Sequence, residues 1–198
     1  MLIGLTGKSC SGKNYVGKLI SDMGILVWDM DKLCHDGLIE NIDAIKSTFG
    51  DQVVCYNGKK VEVLRSEIAK VVFADASKRT ALEDILYPWL KEKVLRWESN
   101  NPDKVLFLNG ALLYRSEFDK LCKYVIYVDA NHEIRLQRAL VRDKISVENF
   151  EKRENSQKDV DFRVVKYRSE VHIIENNGAN LEEVGQQVFA ILKKLDII

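Results

Sequence analysis

Long apolar runs, prolines and an excess of charge of either sign are what this sequence lacks. No stretch of its 198 residues approaches the roughly 20 apolar residues that cross a bilayer, so no membrane partner is expected. The short N-terminal apolar run has no basic segment before it and leads directly into Gly, Lys and Ser, unlike a secretory leader; a cytoplasmic location is expected. Thirty Lys and Arg balance thirty Asp and Glu, and this neutrality argues against a nucleic-acid partner, because phosphate backbones are held by basic excess. With only 2 prolines and 11 glycines beside 46% hydrophobic residues, the chain is neither disordered nor fibrous. Cys10, Cys34, Cys55 and Cys122 stand far apart without Cys-x-x-Cys spacing and read as reduced thiols. His35, His132 and His172 are equally scattered and carry no metal-ligand spacing.

What is present is a regular alternation. Short apolar runs at 2–6, 25–28, 104–108, 124–128 and 171–174 predict five buried strands, and helical spacing predicts helices over 12–23, 65–73, 78–97, 133–143 and 181–195. Strands alternating with helices mean an α/β fold around a five-stranded parallel sheet. Residues 31–100 exceed what one crossover helix requires and are expected to form a mostly helical insertion. Residues 144–170 mix Lys152, Arg153, Lys158, Arg163, Lys166 and Arg168 with acids and are expected to form a helical flap. One domain of 1–198 results, with core 1–30, 101–143 and 171–198. Oligomeric state is left open.

The first strand runs into Gly7-Lys8-Ser9-Cys10-Ser11-Gly12-Lys13-Asn14, which satisfies G-x-x-x-x-G-K and lacks the final Ser or Thr. Glycines let a loop turn its amides inward around an anion, and the following helix adds its positive end. Gly7, Cys10, Ser11, Gly12, Lys13, Asn14 and the adjoining Tyr15 are therefore the expected nucleotide-phosphate contacts, with Lys13 reaching the β- and γ-phosphates. Asn14 replaces the hydroxyl that ordinarily serves Mg²⁺ with an amide oxygen, also a hard neutral donor, so an altered Mg²⁺ contact at Asn14 is expected, with loss of metal binding as the alternative.

Asp29-Met30-Asp31 follows the second strand, at the end of a parallel sheet that lines a ligand crevice. The two carboxylates are expected to point different ways, with Asp31 as base toward an acceptor hydroxyl and Asp29 capping a helix or holding a metal-bound water. Arg135, Arg138 and Arg142 share one helix face, and Arg138 or Arg142 is expected to touch transferred phosphate.

In order and spacing, Ile3-Gly4-Leu5-Thr6-Gly7, Ser11-Gly12-Lys13, Gly24-Ile25, Asp29-Met30-Asp31, Phe49-Gly50, Leu82-Glu83-Asp84-Ile85 with Pro88, Arg138, Arg142-Asp143, Arg153 with Gln157, and Asn176-Asn177-Gly178 resemble the dephospho-CoA kinase family. The resemblance implies a P-loop kinase core with a helical substrate subdomain (31–100) and a lid (144–170). It also implies transfer of the ATP γ-phosphate to the ribose 3′-hydroxyl of dephospho-CoA. By position, Asp31 matches the family's base, Lys13 its P-loop lysine, Arg142 its lid-side phosphate contact, and Asn177 its approach to adenine. The chain departs at Tyr87-Pro88 where His-Pro is usual, at Ala111-Leu112-Leu113-Tyr114-Arg115 where Pro-Leu-Leu-x-Glu is usual, and at Val171 where aspartate is usual. Arg115 either binds acceptor phosphate or faces water. A nucleoside or nucleoside-monophosphate kinase, and a noncatalytic nucleotide binder, are the alternative readings.

Overall fold

The computed structural model describes residues 1–58, 60–163, 169–178 and 180–198; Lys166 and Arg168 of the charged segment lie outside them. In chain order the elements are β1 (Leu2–Thr6), α1 (Lys13–Asp22), β2 (Leu26–Asp29), α2 (Met30–Glu40), α3 (Ile42–Phe49), β3 (Val54–Asn57), β4 (Lys60–Val63), α4 (Arg65–Ala74), α5 (Ala76–Asn100), β5 (Leu106–Asn109), β6 (Tyr124–Asp129), α6 (His132–Arg142), α7 (Val147–Ser156), β7 (Glu170–Glu175) and α8 (Leu181–Lys194). Two compact units result, one from residues 1–29 with 102–198 and one from residues 30–101.

The first unit is the parallel sheet, ordered β2-β5-β1-β6-β7. Its central strands are apolar throughout because both faces are covered: Leu2, Ile3, Leu5, Leu106, Phe107 and Leu108 are all buried. Val16 and Ile20 of α1 and Val184, Val188 and Leu192 of α8 share one core with Ile3, Phe107, Ile126, Val128 and Ile174. Strands β2 and β5 run past their apolar runs to polar ends, because the ladder continues one rung further and pairs Asp29 with Asn109.

The second unit holds α2 to α5 and an antiparallel hairpin, β3 with β4. The unit is mostly helix, and the hairpin is an addition to the helical insertion expected over residues 31–100. Its signal was in the sequence: Asn57-Gly58 is a tight-turn pair, Gly58 has φ 62°, and Asn57 pairs with Lys60. Helix α5 starts ahead of its apolar spacing because the Asp75 carboxylate accepts from the amides of Ser77 (2.7 Å) and Lys78 (3.4 Å). Ile45, Phe49, Val53, Ile68 and Leu86 form this unit's own core.

Strand alternation does not govern Asp29 and Asp31: residues two apart in a strand would share a face, and the strand does not run that far. Strand β2 ends at Asp29 and Met30 is already helical, so Asp31 sits in the first turn of α2.

Helix α7 is tied to α6 by a buried ion pair, Arg135 with Glu154, and by the exposed contact of His132 with Glu151 at 3.1 Å. The Arg135 guanidinium donates to both Glu154 carboxylate oxygens and, at 2.9 Å, to the Ala130 carbonyl. Side-chain exposure is 5% for Arg135 and 13% for Glu154, so neither charge has water as a substitute partner. Burial alone would raise the Glu154 carboxyl, but the Arg135 hydrogen bonds and charge outweigh it and hold its pKa below the usual range. A group lowered on folding stabilises fully above its unfolded pKa, ~4.3 for Glu, and loses that contribution as pH falls through the folded value. Glu154→Gln should therefore cost ~3–5 kcal/mol at neutral pH, by denaturant unfolding. It should also flatten the fall in unfolding midpoint that the native chain shows below about pH 4.

Candidate active site

The loop between β1 and α1 is shaped by its two glycines. At Gly12, with φ 100°, a Cβ would stand 2.2 Å from the Asn176 Nδ2, and at Gly7 a Cβ would stand 2.3 Å from the Val128 carbonyl oxygen. Both positions thus exclude a side chain on space alone. Cys10 also takes a left-handed conformation, φ 63°, rare outside glycine and found where surrounding contacts impose it.

Those contacts lie behind the loop. Asn176, just beyond β7, donates from Nδ2 to the Ser11 carbonyl at 2.8 Å. The Arg138 guanidinium, from α6, reaches the carbonyls of Cys10 and Ser11 at 3.3 Å each, and the Asn176 carbonyl and Oδ1 at 2.9 and 3.1 Å. Loop carbonyls therefore point toward α6 and the end of β7. The Ser11 amide closes a turn on the Lys8 carbonyl at 3.1 Å, while the amides of Cys10, Gly12 and Asn14 donate to no protein acceptor among the described residues. Inward amides at the head of a helix form an anion cradle.

The outer half of the loop is held from the segment after α6. The Ser9 amide donates to Gln157 Oε1 at 2.9 Å, and Lys8 pairs with Asp161 at 3.3 Å. Asp161 also accepts from the Arg163 amide, and Arg163 pairs with Asp129 at the end of β6.

Of the three arginines expected on one face, each has a different partner. Arg135 is consumed by Glu154, and Arg138 by the loop carbonyls. Arg142 is 63% exposed and pairs with Asp143 at 2.6 Å, while reaching the Cys10 sulfur at 3.8 Å. The Cys10 thiol donates to Asp143 at 3.4 Å, and burial pushes its pKa up. The Arg142 hydrogen bonds hold the Asp143 carboxyl down. Arg153 is exposed, near enough to lower Asp143 further.

Lys13 opens α1 and donates to Asn14 Oδ1 at 3.0 Å; Asn109 Nδ2 donates to the same oxygen at 3.2 Å. Asn109 ends β5, in register with Asp29 of β2, so both side chains lie on one sheet face, the face α1 covers. Asn109 Oδ1 is buried with no partner among the described residues, as is Ser11 Oγ. Asn177 Oδ1 accepts from the Asn131 amide at 2.7 Å, and the Tyr15 hydroxyl donates to the Leu181 carbonyl at 3.5 Å. Neither Asn176 nor Asn109 was singled out from sequence as a contact, yet both sit at strand ends of a parallel sheet, which was the available signal. Arg115, left open between acceptor phosphate and water, donates to the Ser156 carbonyl at 2.7 Å.

In the second unit a groove between α2 and β4 is lined by Leu38, Ile39, Val61 and Val63, with His35 and Arg65 at its polar side, hydrogen bonded at 2.8 Å. Among the described residues no group of three His, Cys, Asp or Glu side chains is placed to hold a metal by itself, and no helix is long and apolar enough to cross a membrane.

The family model for dephospho-CoA kinase matches residues 1–182. A dephospho-CoA kinase of Fusobacterium nucleatum is 34% identical over 190 residues, covering 95% of each chain, and one of Arabidopsis thaliana is 29% identical over 199 residues, covering 96% of this chain and 82% of its own. Among solved structures, TT1252 from Thermus thermophilus superposes with TM-score 0.80 at 27% identity, covering 98% of this chain and 97% of its own. The dephospho-CoA kinase from Campylobacter jejuni shares the fold, with TM-score 0.69 at 24% identity over 98% and 96%. With strand order, glycine loop and a match over residues 1–182 in agreement, the chain belongs to the dephospho-CoA kinase family.

Proposed function

We propose that this chain carries out its family's reaction, ATP-dependent phosphorylation of dephospho-CoA at the ribose 3′-hydroxyl to give coenzyme A and ADP, in the cytoplasm. The observation that carries the proposal is the cradle itself, with inward amides, Lys13 at the head of α1 and its carbonyls tied back, in a chain matched by the family model from residue 1 to 182. Such a loop grips the donor's β- and γ-phosphates and little else.

Roles divide as follows. Lys13 places its ammonium against the γ-phosphate, and the charge it supplies offsets negative charge on the oxygens in transfer. Arg142, exposed beside Cys10, turns from Asp143 to the transferred group, which a planar fork suits. Asp31 takes the proton from the acceptor hydroxyl as its oxygen attacks phosphorus and the bond to ADP breaks. Asn177 stays the adenine-side residue through its Nδ2, its oxygen being committed to Asn131.

Mg²⁺ fits this loop. Asn14 Oδ1, the orphaned buried Asn109 Oδ1 and the Asp29 carboxylate present hard oxygens at one place, and a site of this kind is completed by phosphates and water rather than by a cage of acids. When bound, such an ion would supply positive charge that offsets the negative charge of the nucleotide's phosphates.

For the acceptor we assign the groove of the second unit, whose apolar wall suits a pantetheine arm and whose Arg65 suits a diphosphate.

With ATP, Mg²⁺ and dephospho-CoA the purified protein should form coenzyme A; preferred turnover of a nucleoside or its monophosphate in an acceptor panel would refute the assignment. Asp31→Asn should lower kcat by ~10²–10⁴ with ATP affinity unchanged. Titration calorimetry of Lys13→Ala should show ATP binding weaker by ~1.5–3 kcal/mol. Arg65→Ala should raise the KM for dephospho-CoA about tenfold while the KM for ATP stays put, a split readable in steady-state kinetics.

A further inference from the structure

A trans peptide unit points its C=O and its N–H in opposite directions, so whatever holds the carbonyl of one residue also aims the amide of the next. The Ser11 carbonyl is held by two donors, Asn176 Nδ2 at 2.8 Å and Arg138 at 3.3 Å. The amide in the same plane is that of Gly12, which has no protein acceptor among the described residues and lies at the entrance to α1.

Asn176 is itself immobilised at every polar group. Its amide donates to the Asp129 carbonyl at 2.8 Å, and its carbonyl and Oδ1 accept from Arg138. It is 4% exposed, so nothing in solvent competes for these bonds. The match is reciprocal, since the place where a Cβ would stand on Gly12 is only 2.2 Å from Asn176 Nδ2.

We propose that Asn176 is a positioning residue for phosphate binding: its side-chain amide, braced by Arg138, fixes the Ser11–Gly12 peptide plane so that the Gly12 N–H faces the nucleotide's phosphates. The side chain touches neither donor nor acceptor and works through the loop. An asparagine suits the task because it offers a donor to Ser11 and an acceptor to Arg138 without charge. An aspartate of the same shape would set a second acceptor against the Ser11 carbonyl and place negative charge behind the cradle. The inference rests on the loop binding phosphate and is independent of the acceptor's identity.

The test uses equilibrium binding of ADP and of inorganic tripolyphosphate to the full chain, with no acceptor present. Asn176→Asp should weaken both ligands by the same factor, tenfold or more, and the smaller neutral Asn176→Ser should weaken both equally by a lesser factor, with unfolding midpoints within a few degrees of the native chain. Unchanged affinity overturns the proposal. Weaker ADP with unchanged tripolyphosphate also overturns it, placing Asn176 at the base or ribose. If neither variant folds, Asn176 belongs to the scaffold and the proposal is equally lost. Failure of coenzyme A synthesis alone leaves these readouts intact and counts only against the acceptor assignment.

Discussion

Five strands running the same way leave their final residues along one edge of the sheet, and that alignment decides which side chains meet. The loop after Thr6, Asp29 and Asn109 in register, Asp129 paired with Glu175, and Asn176 one residue further all arrive at this edge because parallel register allows no other arrangement. Apolar burial beneath it, from Leu2 to Leu5 and Leu106 to Leu108, makes the edge rigid. Catalytic geometry here is the by-product of hydrophobic strands that must pair.

Much of this was legible because it is local. The glycine loop lies within eight residues, and the apolar strands within four to six, so composition and spacing locate them. The hairpin was overlooked because Cys55, Tyr56 and Lys60 dilute its apolar alternation, although Asn57-Gly58 marked the turn. Nothing in Asp29-Met30-Asp31 itself announces that the helix begins at Met30, directly after the strand. Helical spacing correctly placed three arginines on one element but could not say where each would reach. Those partners, Glu154, the loop carbonyls and Asp143, are matters of tertiary packing, and for Arg135 and Arg138 they lie 19 to 128 residues away.

A chain of zero formal net charge binding a highly charged anion needs an explanation, and the pairings supply it. Near the loop Lys8, Arg142 and Arg163 each have an acid, Asp161, Asp143 and Asp129. Long-range attraction is thereby cancelled. What would remain to read phosphate in the proposed site acts at short range: the inward amides, the helix terminus, Lys13, and the Arg138 guanidinium behind the loop, which carries no acid partner among the described residues.

The bond from Asn176 to Ser11 closes 165 residues of chain, and this sets an order of events during synthesis. The glycine loop is made 165 residues before the partner that ties back its carbonyl. A growing chain therefore carries a complete motif and an incomplete site. Nucleotide can fully reward folding only once Asn176 has joined the loop, which makes ligand a stabiliser of the finished fold rather than a template for its assembly.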